Sequence, residues 1–507
     1  MTAAPTYDLG KWYGGLRLPA EKEQSTAEGV REVPVPQQLI LPLTQHSGDA
    51  AQPVVDAGDR VLKGQLIAEA DGVLSAPVHA SSSGTVAGFQ AWPVSRRFGE
   101  TAPCIVIECD GEDEAVDMSR SVVDFERLDS DTLLKHILEG GVVGLGGAVF
   151  PTSQKLAQAK SMPVETLILN GVECEPYISC DDMLMRMQAG EVLGGARVLL
   201  HALGLKQCIV VLESDKPQAL HGIADALRET NDERFVLKQV PTIYPSGGED
   251  QVVQLVTGRE VPSGGLPTDV GCVVQNVGTV AAVWRWICRG EPLISRITTV
   301  TGDGVSQPTN LRVRMGTTVA DVIAFAGGYS ERASHLIIGG PMTGKSVTTD
   351  RLPVVKATNC ILVLSQPIPV GNERPCIRCG ECAEVCPVVL QPQELYWYAN
   401  ADNEQKLREL GLKDCIECGC CDLVCPSHIP LVSYFRQAKA RILELAAEKE
   451  RAERARRRFE SRTRRLKVEE RKRLDELAQQ KRSALSAGPQ EIQEMVERAR
   501  RKKTPEE

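Results

Sequence analysis

The sequence predicts an α/β multidomain protein in which a β-rich module, a larger α/β domain, a small β-grasp unit, a small α-helical cysteine-rich module and a charged helical tail follow one another. The 507 residues, 42% of them hydrophobic and 25% charged, suffice for about three or four separate cores. Apolar strand-like runs alternate with helical stretches between residues 128 and 290. Eight of the 17 cysteines stand in two tight repeats, and basic residues gather near the end of the chain.

The β-rich module is predicted at residues 31–112, after an irregular arm at 1–30. Short β-prone runs extend from Val54 to Val86 and are separated by Gly, Asp and Pro, which is typical of compact β structure. This texture resembles the barrel-sandwich domains of the lipoyl and biotinyl type. Lys63, however, does not stand in the D-K-A or M-K-M turn that would carry a swinging cofactor. We therefore expect a structural module.

The largest core is predicted at residues 113–292. Thr166–Leu169 and Cys208–Leu212 are strand-like, whereas Met183–Leu203 is helical, and this alternation predicts an α/β layer domain. Residues 293–346 contain two β runs and one short helix, which predict a small β-grasp unit. Because these residues show no ligand chemistry, we interpret the unit as a spacer.

The C-terminal third begins with a Pro-containing linker at 347–369, which leads into the cysteine-rich module at 370–436. The tail at 437–507 is rich in Ala, Glu, Arg and Lys, and no Pro occurs between Tyr434 and Pro489, which predicts one or more exposed helices. The last 67 residues hold 21 basic and 14 acidic residues, whereas the whole chain has a net charge of −9. A solvated helix and a docking arm for a partner or an anionic lipid surface both fit this composition.

The sequence favours an intracellular location without membrane spans. No stretch approaches the roughly 18 uninterrupted apolar residues that cross a bilayer, and the N-terminus lacks the basic-then-apolar pattern of a signal peptide. The cysteine spacings suit metal ligation better than disulfide bridges, as expected in a reducing cytosol. We therefore expect neither export nor insertion into a membrane.

Two copies of the pattern C-x2-C-x2-C-x3-C-P carry the strongest chemical signal. They read CIRCGECAEVCP and CIECGCCDLVCP. Three thiolates spaced by two residues can bind three iron corners of one cubane, while the fourth cysteine is directed to the other cluster. One [4Fe-4S] cluster is therefore predicted on Cys376, Cys379, Cys382 and Cys425. The second is predicted on Cys415, Cys418, Cys421 and Cys386.

A pair of zinc ribbons is the alternative interpretation of these cysteines. Zinc needs four ligands per site and has no use for a three-plus-one pattern with a trailing proline, so the pattern favours iron–sulfur clusters and electron transfer. Cys420 is out of spacing and is interpreted as a bystander. The other cysteines that we interpret as small buried hydrophobic residues are Cys104, Cys109, Cys208, Cys272, Cys288 and Cys360.

A glycine-rich loop, LEGGVVGLGGAVFPTSQK, runs from Leu138 to Lys155 and into a helix predicted at Ser153–Ala159. Glycines let backbone N–H groups approach an anion, and a helix N-terminus adds a favourable partial charge, so the loop suits a phosphate or a flavin. Val149 stands where a dinucleotide fingerprint has its last glycine, and no apolar strand immediately precedes the loop. Taken alone, this signal is weak.

Three polar loops also indicate a ligand site in this domain, namely NGVECEPY, YPSGGE and QNVGT. Each is also compatible with an ordinary loop. Clustered polar groups at the ends of successive strands suit a ligand crevice at the carboxyl edge of an α/β sheet. The pattern therefore favours a binding site in this domain.

Five segments in this order resemble the C subunit of the Rnf electron-transport complex: GLGGAVFPTSQKL, NGVECEPYISCDD, YPSGGED, QNVGT and CPSHIPLVSYF. The resemblance covers nearly the whole chain. The glycine loop and the loop NGVECEPY, here called the acidic loop, are also similar to the flavin- and NADH-binding subunit of respiratory complex I. Residues 296–345 resemble the soluble-ligand-binding β-grasp domain. Leu145 and Val149 stand where the complex I loop has Arg and Gly, and Val172 replaces an Asp of its acidic loop.

The resemblance implies a site for non-covalent FMN with NAD(H) as substrate. It implies that the FMN and nucleotide phosphates are framed by Gly144, Gly146, Gly147, Ala148 and Lys155. It places next to the flavin or NADH the side chains of Phe150, Asn170, Glu173 and Glu175. The nucleotide wall and the FMN phosphate would involve Tyr244, Gly247, Glu249, Asn276 and Thr279. The residues implied to position the substrate for catalysis are Phe150, Lys155, Glu173, Glu175 and Glu249.

The resemblance also implies an activity and a setting. Hydride would pass between nicotinamide and flavin, and the electrons would leave singly through the clusters, as in an NADH:ferredoxin oxidoreductase-type translocase subunit. The implied partners are a ferredoxin-handling iron–sulfur subunit and integral membrane subunits that couple the flow to H+ or Na+ movement, with no nucleic acid. The chain would lie peripherally on the cytoplasmic face of the bacterial inner membrane.

Two other functions remain open. One is a non-catalytic iron–sulfur relay subunit with an empty flavin site. The differences from the complex I loops at Leu145, Val149 and Val172 are compatible with this function. The other is a cobalamin reductase of bacterial microcompartments, which shares this domain order. Such enzymes usually end soon after the clusters, whereas here a long charged tail follows Tyr434.

Overall fold

The computed structural model describes residues 12–95, 100–367, 371–486 and 488–501. Parts of the expected segments lie outside these described residues, namely 1–11, 96–99, 368–370, 487 and 502–507. The chain divides into two units, residues 1–435 and residues 436–507. The first unit contains the β-rich module, the α/β domain, a mixed sheet and the cysteine module.

The β-rich module consists of antiparallel strands around an apolar core that continues into the next domain. Before it lie helix α1 (Glu23–Thr26) and strand β1 (Arg31–Glu32). Its strands are β2 (Gln38–Pro42), β3 (Gln52–Pro53), β4 (Arg60–Val61), β5 (Leu66–Glu69), β6 (Val78–His79), β7 (Gly84–Pro93) and β8 (Thr101–Cys109). Antiparallel sheets, ordered β2-β8-β7-β4 and β3-β5-β6, bury Leu39, Ile67 and Ile105 in one core.

The α/β domain is a parallel sheet with helices around it. Its helices are α2 (Ser130–Glu139), α3 (Thr152–Lys160), α4 (Cys180–Met187), α5 (Ala189–Leu203), α6 (Pro217–Thr230), α7 (Glu249–Thr257) and α8 (Val277–Arg289). Its strands are β9 (Thr166–Gly171), β10 (Gln207–Glu213), β11 (Phe235–Val240) and β12 (Cys272–Asn276). They pair in the order β11-β10-β9-β12. The chain leaves β9 towards β10, while β12 lies on the other side, so a crevice is expected where β9 and β12 end.

The sequence predictions for this domain are confirmed for the strands and corrected for one helix. The runs at Thr166–Leu169 and Cys208–Leu212 are the buried parts of β9 and β10. The single helix predicted at Met183–Leu203 is wrong, because the chain breaks at Gln188, where φ is −135° and ψ is 36°. The side-chain oxygen of Gln188 accepts a 2.7 Å hydrogen bond from Arg285 of α8, which anchors the chain at the break.

A mixed sheet follows and corrects the predicted linker. Its elements are β13 (Ser295–Thr301), β14 (Thr309–Arg314), α9 (Val319–Phe325), β15 (His335–Ile338), β16 (Lys345–Val347) and β17 (Cys360–Leu364). The order is β1-β14-β13-β17-β15-β16, so the segment expected as a linker at 347–369 supplies a central strand. The cause is the apolar run CILVL, whose first four residues are buried. The two β runs expected at 293–346 are four strands, and β1, from the start of the segment expected as the β-rich module, pairs with β14.

The cysteine module repeats one backbone conformation. Its short helices are α10 (Glu381–Glu384), α11 (Pro392–Asn400), α12 (Glu404–Glu409) and α13 (Cys420–Leu423). Arg378 and Glu417 both have positive φ, 59° and 58°, and Gly380 and Gly419 have φ of 87° and 80°. Each pair is separated by the same number of residues as the two cysteine motifs. The sequence repeat is therefore also a structural repeat.

The tail forms helices over its described residues. Helix α14 (Leu431–Ser486) begins in the first unit, and α15 (Pro489–Arg501) follows it. The side chains along most of α14 are exposed to solvent, in line with the expected charged helix. Among the described residues, no helix is both long enough and apolar enough to cross a bilayer.

Candidate functional site

A crevice opens where β9 and β12 end. It consists of two adjoining cavities, a first of about 440 Å³ and a second of about 470 Å³. Both are lined by Gly146, Asn170, Gly247, Glu249 and Asn276. Small-molecule sites typically measure roughly 300–1,000 Å³. The glycine loop and the polar loops predicted to bind a ligand therefore meet at one place of suitable size.

The structure brings together nearly all of the predicted cofactor residues. The first cavity is lined by Gly144, Gly146, Ala148, Phe150, Lys155, Asn170, Gly247, Glu249, Asn276 and Thr279. The second cavity adds Glu173, Glu175 and Tyr244. Gly147 belongs to the same loop but does not line either cavity; its φ is 118°, and no heavy atom lies within 4 Å of a Cβ built there.

The glycine loop folds back on itself and rests on the neighbouring modules. The Gly144 N–H donates to the Phe150 carbonyl at 2.8 Å, and the Leu145 N–H donates to Thr279 Oγ1, also at 2.8 Å. Ser47 of the β-rich module donates through its hydroxyl to the Ala148 carbonyl at 2.7 Å. The β-rich module thus supports the loop directly, consistent with the structural role expected for it.

Lys155 and Glu249 form an ion pair in the wall of the first cavity, with 2.6 Å between Lys155 Nζ and Glu249 Oε1. The side chains are 29% and 44% exposed, so solvent screens the pair and its contribution to stability is small. Lys155 lies in the first turns of α3, and Glu249 begins α7. The pair brings one positive and one negative group to the same edge of the cavity.

The carboxylate of Glu173 caps helix α4. Its Oε1 accepts from the Asp181 N–H at 2.7 Å, and its Oε2 accepts from the Asp182 N–H at 3.1 Å. Glu173 itself has a φ of 45°, an uncommon conformation for a residue with a side chain. Through these hydrogen bonds the acidic loop is held at the N-terminus of α4. Glu173 also lines the second cavity.

Asp181 is a site residue that the sequence analysis did not single out. Burial and the nearby Glu173 raise the pKa of Asp181 to about 7. Asn276 Nδ2 donates to Asp181 Oδ2 at 2.6 Å, and Asp181 lines the second cavity. The only sequence signal was its place in the quoted segment NGVECEPYISCDD. The crevice thus holds a carboxyl group that titrates near neutral pH.

Glu175 ties the crevice to the mixed sheet. Its Oε1 accepts from the backbone N–H groups of Met342 and Thr343 at 2.9 and 2.8 Å, and its Oε2 accepts from Thr343 Oγ1 at 2.6 Å. Both oxygens are thus already hydrogen-bonded, and a contact to a flavin or NADH hydroxyl would have to use their remaining lone pairs. No sequence pattern indicated this tie, because Glu175 and Thr343 are far apart along the chain.

Asn276 and Thr279 hold the start of α8 against the glycine loop. Asn276 Oδ1 accepts from the N–H groups of Gly278 and Thr279 at 2.9 and 3.3 Å, so Asn276 is the N-cap of the helix. Thr279 Oγ1 accepts from the Leu145 N–H. A phosphate at this point would meet the N-terminus of α8, which favours negative charge.

Buried polar atoms without partners indicate that the first cavity suits a polar ligand. Thr152 Oγ1 and Gln275 Nε2 are buried, belong to residues that line this cavity and have no hydrogen-bond partner among the described residues. Ser153 Oγ, next to Thr152 at the start of α3, is also buried without a hydrogen-bond partner among the described residues. Buried polar groups are nearly always hydrogen-bonded in native proteins. The donor set around this cavity therefore fits a ligand such as FMN.

The cysteine module forms part of the crevice wall. Ile416 and Cys418, from the second cysteine motif, line the second cavity together with Tyr244. The Tyr244 hydroxyl donates to the Cys418 carbonyl at 2.7 Å. Burial raises the pKa of Tyr244 far above its ordinary value, so the phenol remains protonated and able to donate.

Four of the predicted cluster ligands surround one small cavity, which is lined by Cys386, Cys415, Cys418, Cys421 and the neighbouring Cys420. Cys386 comes from the first motif and the others from the second, which is the three-plus-one arrangement that the spacing predicts. Cys420 is fully buried there rather than at the surface. In the first motif, Cys382 is buried and Cys379 is exposed.

The cysteines outside the motifs behave largely as expected. Cys104, Cys208, Cys272 and Cys360 are buried, and Cys109 and Cys288 are partly buried. Burial raises the pKa of the Cys104 thiol to about 12, so it stays protonated. Cys272 also forms part of the wall of the first cavity.

Models of four domain families match the chain, each over one part of it. The RnfC barrel sandwich hybrid domain matches residues 11–112, the Nuo51 FMN-binding domain matches residues 137–285, the SLBB domain matches residues 297–346, and the 4Fe-4S dicluster domain matches residues 374–429. The fold and the site thus define a chain that joins an FMN-binding type of domain to a 4Fe-4S dicluster type of domain.

Similar proteins place the chain in one family. The C subunit of the ion-translocating oxidoreductase complex of Pseudomonas aeruginosa is 46% identical over 468 residues, which are 91% of this chain and 60% of that protein. The corresponding protein of Haemophilus influenzae (strain PittEE) is 40% identical over 465 residues, which are 91% of this chain and 71% of that protein. The chain belongs to the family of C subunits of the ion-translocating oxidoreductase complex.

The relatives are longer than this chain, which spans between half and three quarters of their length. Among solved structures, an NAD+-reducing [NiFe]-hydrogenase in the H2-reduced state aligns with a TM-score of 0.42 and 21% identity, covering 62% of this chain and 63% of that one.

Proposed function

We propose that this chain passes electrons between NAD(H) and ferredoxin- or flavodoxin-linked partners through FMN and two [4Fe-4S] clusters, as the peripheral subunit of an ion-translocating complex on the cytoplasmic face of the bacterial inner membrane. The observation that carries the proposal is the shared wall: Tyr244 of the crevice and Cys418 of a cluster motif line one cavity and are hydrogen-bonded. The relatives are named as parts of an ion-translocating complex, which supports assembly with other subunits. In our proposal these include integral membrane subunits and one that handles ferredoxin.

The first cavity is the proposed FMN site. FMN supplies the link between a nicotinamide, which gives up electrons in pairs, and clusters that accept them singly. The glycine loop would hold its phosphate with backbone N–H groups, and Lys155 would supply positive charge. The unpartnered Thr152 hydroxyl and Gln275 amide would satisfy polar atoms of the cofactor.

The substrate-positioning residues lie around the same crevice. Phe150 offers an aromatic face next to the nicotinamide, and the Lys155–Glu249 pair offers both signs of charge at the cavity edge. Glu173 and Glu175 shape the acidic side. None of these groups needs to move a proton in a hydride transfer, so loss of any of them slows the reaction through misorientation.

The clusters are proposed to follow in line. The cluster on Cys386, Cys415, Cys418 and Cys421 lies next to the crevice, because Cys418 lines both the second cavity and the small cysteine-lined one. The cluster on Cys376, Cys379, Cys382 and Cys425 is then the outer one, and the exposed Cys379 marks the side where electrons leave or enter. The mixed sheet, proposed to be the β-grasp spacer, is tied to the crevice through Glu175.

NADH-dependent reduction of ferricyanide tests this function. Protein reconstituted anaerobically with iron, sulfide and FMN should reduce ferricyanide with NADH, and Phe150→Ala should lower the rate by about tenfold or more through loss of the stacking surface. Phe89→Ala is the matched control, because Phe89 is an exposed phenylalanine of the β-rich module. Folded protein that holds both clusters but binds no flavin would contradict the proposal and favour the relay function.

A further inference from the structure

The N-terminal segment at residues 12–22, here called the strap, lies against both the crevice and the cysteine module. Leu16 and Tyr244 exchange two backbone hydrogen bonds, of 2.7 and 2.8 Å. One residue earlier, the Gly15 N–H donates to the Val385 carbonyl at 2.9 Å. The described part of the expected irregular arm is therefore bound on two sides rather than free.

Two glycines let the strap approach this closely. Gly14 and Gly15 have φ of 70° and 78°, in the region that favours glycine. A Cβ on Gly14 would lie 2.7 Å from the backbone C and O atoms of Cys386. A Cβ on Gly15 would lie 2.8 Å from the carbonyl oxygen of Tyr244. Backbone atoms cannot rotate away from such contacts, so a side chain at either position would push the strap from its neighbours.

The far end of the strap holds the acidic loop of the crevice. Lys22 is 7% exposed, and its ammonium donates to the Glu173 carbonyl. The Tyr177 N–H donates to the Ala20 carbonyl at 2.8 Å. The strap therefore contacts three parts of the proposed machinery: the Tyr244 loop, the acidic loop and the first cysteine motif.

The two contacts near Tyr244 converge on one proposed cluster. Tyr244 reaches Cys418 through its hydroxyl and reaches Leu16 through its backbone. The neighbouring strap residue, Gly15, is hydrogen-bonded to Val385, the residue before Cys386. Cys386 and Cys418 line the same small cavity. Tyr244 and the strap thus hold this cavity through two cysteine motifs at once.

We propose that the strap is a positioning element for electron transfer: residues 14–16 fix the distance between the crevice and the cluster on Cys386, Cys415, Cys418 and Cys421. This inference rests on the proposed function. In the reaction, NADH is oxidised to NAD+ with release of one proton, and its two electrons reduce one cluster each. Because electron transfer falls steeply with distance, a displacement of residues 14–16 slows cluster reduction. Nucleotide binding and the hydride step keep their rates, because Ala20 and Lys22 still hold the acidic loop.

The test compares Gly14→Ala and Gly15→Ala with Gly29→Ala in the reconstituted full chain. Gly29 is a suitable control, because its φ is not positive and the nearest atom to an added Cβ, Met187 Cε, is 3.7 Å away. Stopped-flow absorbance after mixing with NADH follows flavin bleaching and cluster bleaching separately. The strap variants should keep the rate of flavin bleaching and lose about tenfold or more in the rate of cluster bleaching. Reduction by dithionite, which enters from solvent, should keep its rate.

Tyr244→Phe is the second variant, since it removes the hydrogen bond to Cys418 and leaves the backbone pairing with Leu16 in place. Tyr244→Phe should slow cluster bleaching without loss of iron. Cluster bleaching at the wild-type rate in all three variants would overturn the inference, and so would equal slowing of both phases. Loss of FMN or iron from the strap variants with a normal Tyr244→Phe would also overturn it. Wild-type protein that shows no bleaching with NADH would instead refute the proposed function.

Discussion

The Tyr244 hydroxyl donates a 2.7 Å hydrogen bond to the backbone carbonyl of Cys418, and so joins the crevice loop to a cysteine motif. Tyr244 is buried, with 4% of its surface exposed. The bond lies at the point where the second cavity meets the cysteines of the proposed first cluster. The shared wall links the α/β domain to the cysteine module, and its consequences can be tested residue by residue.

The interleaved cluster ligands predict an effect that crosses the two motifs. Cys386→Ser should lower bound iron from about eight to about four atoms per chain and remove the EPR signal that Cys418→Ser also removes. Cys420→Ser, a neighbouring buried cysteine outside the pattern, is the control and should keep the full iron content. If Cys386→Ser instead matched Cys379→Ser in the signal it removes, each motif would bind its own cluster and the assignment would be wrong.

The ion pair in the cavity wall predicts a defect in substrate binding. Lys155→Met should raise the KM for NADH by about tenfold, because a phosphate then loses a cationic partner worth about 1.5–3 kcal/mol. Lys160→Met is the matched control, since Lys160 lies on the same helix and pairs with the exposed Asp131. Steady-state kinetics with ferricyanide give both constants. An unchanged KM in Lys155→Met would remove Lys155 from the site.

Asp181 predicts a specific pH dependence. Its pKa is raised to about 7 in the folded chain, above the ordinary value of an aspartate, so the folded state binds this proton more tightly than the unfolded state. The stabilisation is fully present below about pH 4 and is lost as the pH rises through about 7. The stability of Asp181→Asn relative to wild type should therefore be greater at pH 8 than at pH 4, by on the order of a few kcal/mol.

Urea unfolding at several pH values measures that difference. Asp56→Asn, at an exposed aspartate of the β-rich module, serves as the control. A constant difference between Asp181→Asn and wild type from pH 4 to pH 8 would show that folding does not raise the pKa of Asp181, against the burial beside Glu173.

The hydrogen bonds of Glu175 predict a loss of stability. Glu175→Ala leaves the N–H groups of Met342 and Thr343 without their acceptor, which costs about 1–3 kcal/mol in the free energy of unfolding. Glu331→Ala, at an exposed glutamate in the turn before β15, should change this free energy by less than about 0.5 kcal/mol. A variant with normal urea stability and only a raised KM for NADH would mean that Glu175 serves the substrate alone.

The sequence predicted those parts of the molecule that depend on local pattern. The buried runs Thr166–Leu169 and Cys208–Leu212 became strands, because continuous apolar residues suit the centre of a parallel sheet. Polar loops after such strands meet at one edge, which is why Asn170 and Asn276 line the same cavity. The spacing of the cysteines likewise predicts the three-plus-one arrangement of the cluster ligands.

What the sequence could not predict depends on contacts between distant segments. Strand β17 was predicted to be part of a linker because the segment around its short apolar run contains several prolines, and the run is defined as a strand only by pairing with β13 and β15. The hydrogen bonds of Glu175 to Thr343 and of the strap to Tyr244 join residues that share no local pattern. Asp181 was missed for the same reason, since its raised pKa arises from burial beside Glu173.

An anaerobic spectroelectrochemical titration of the reconstituted chain with NADH tests most directly whether a flavin and two clusters form one path. We expect one FMN and two [4Fe-4S] clusters per chain, with NADH bleaching the flavin band and the broad cluster absorption together. Protein that contains zinc in place of iron and sulfide, or clusters that dithionite reduces but NADH does not, would contradict this path.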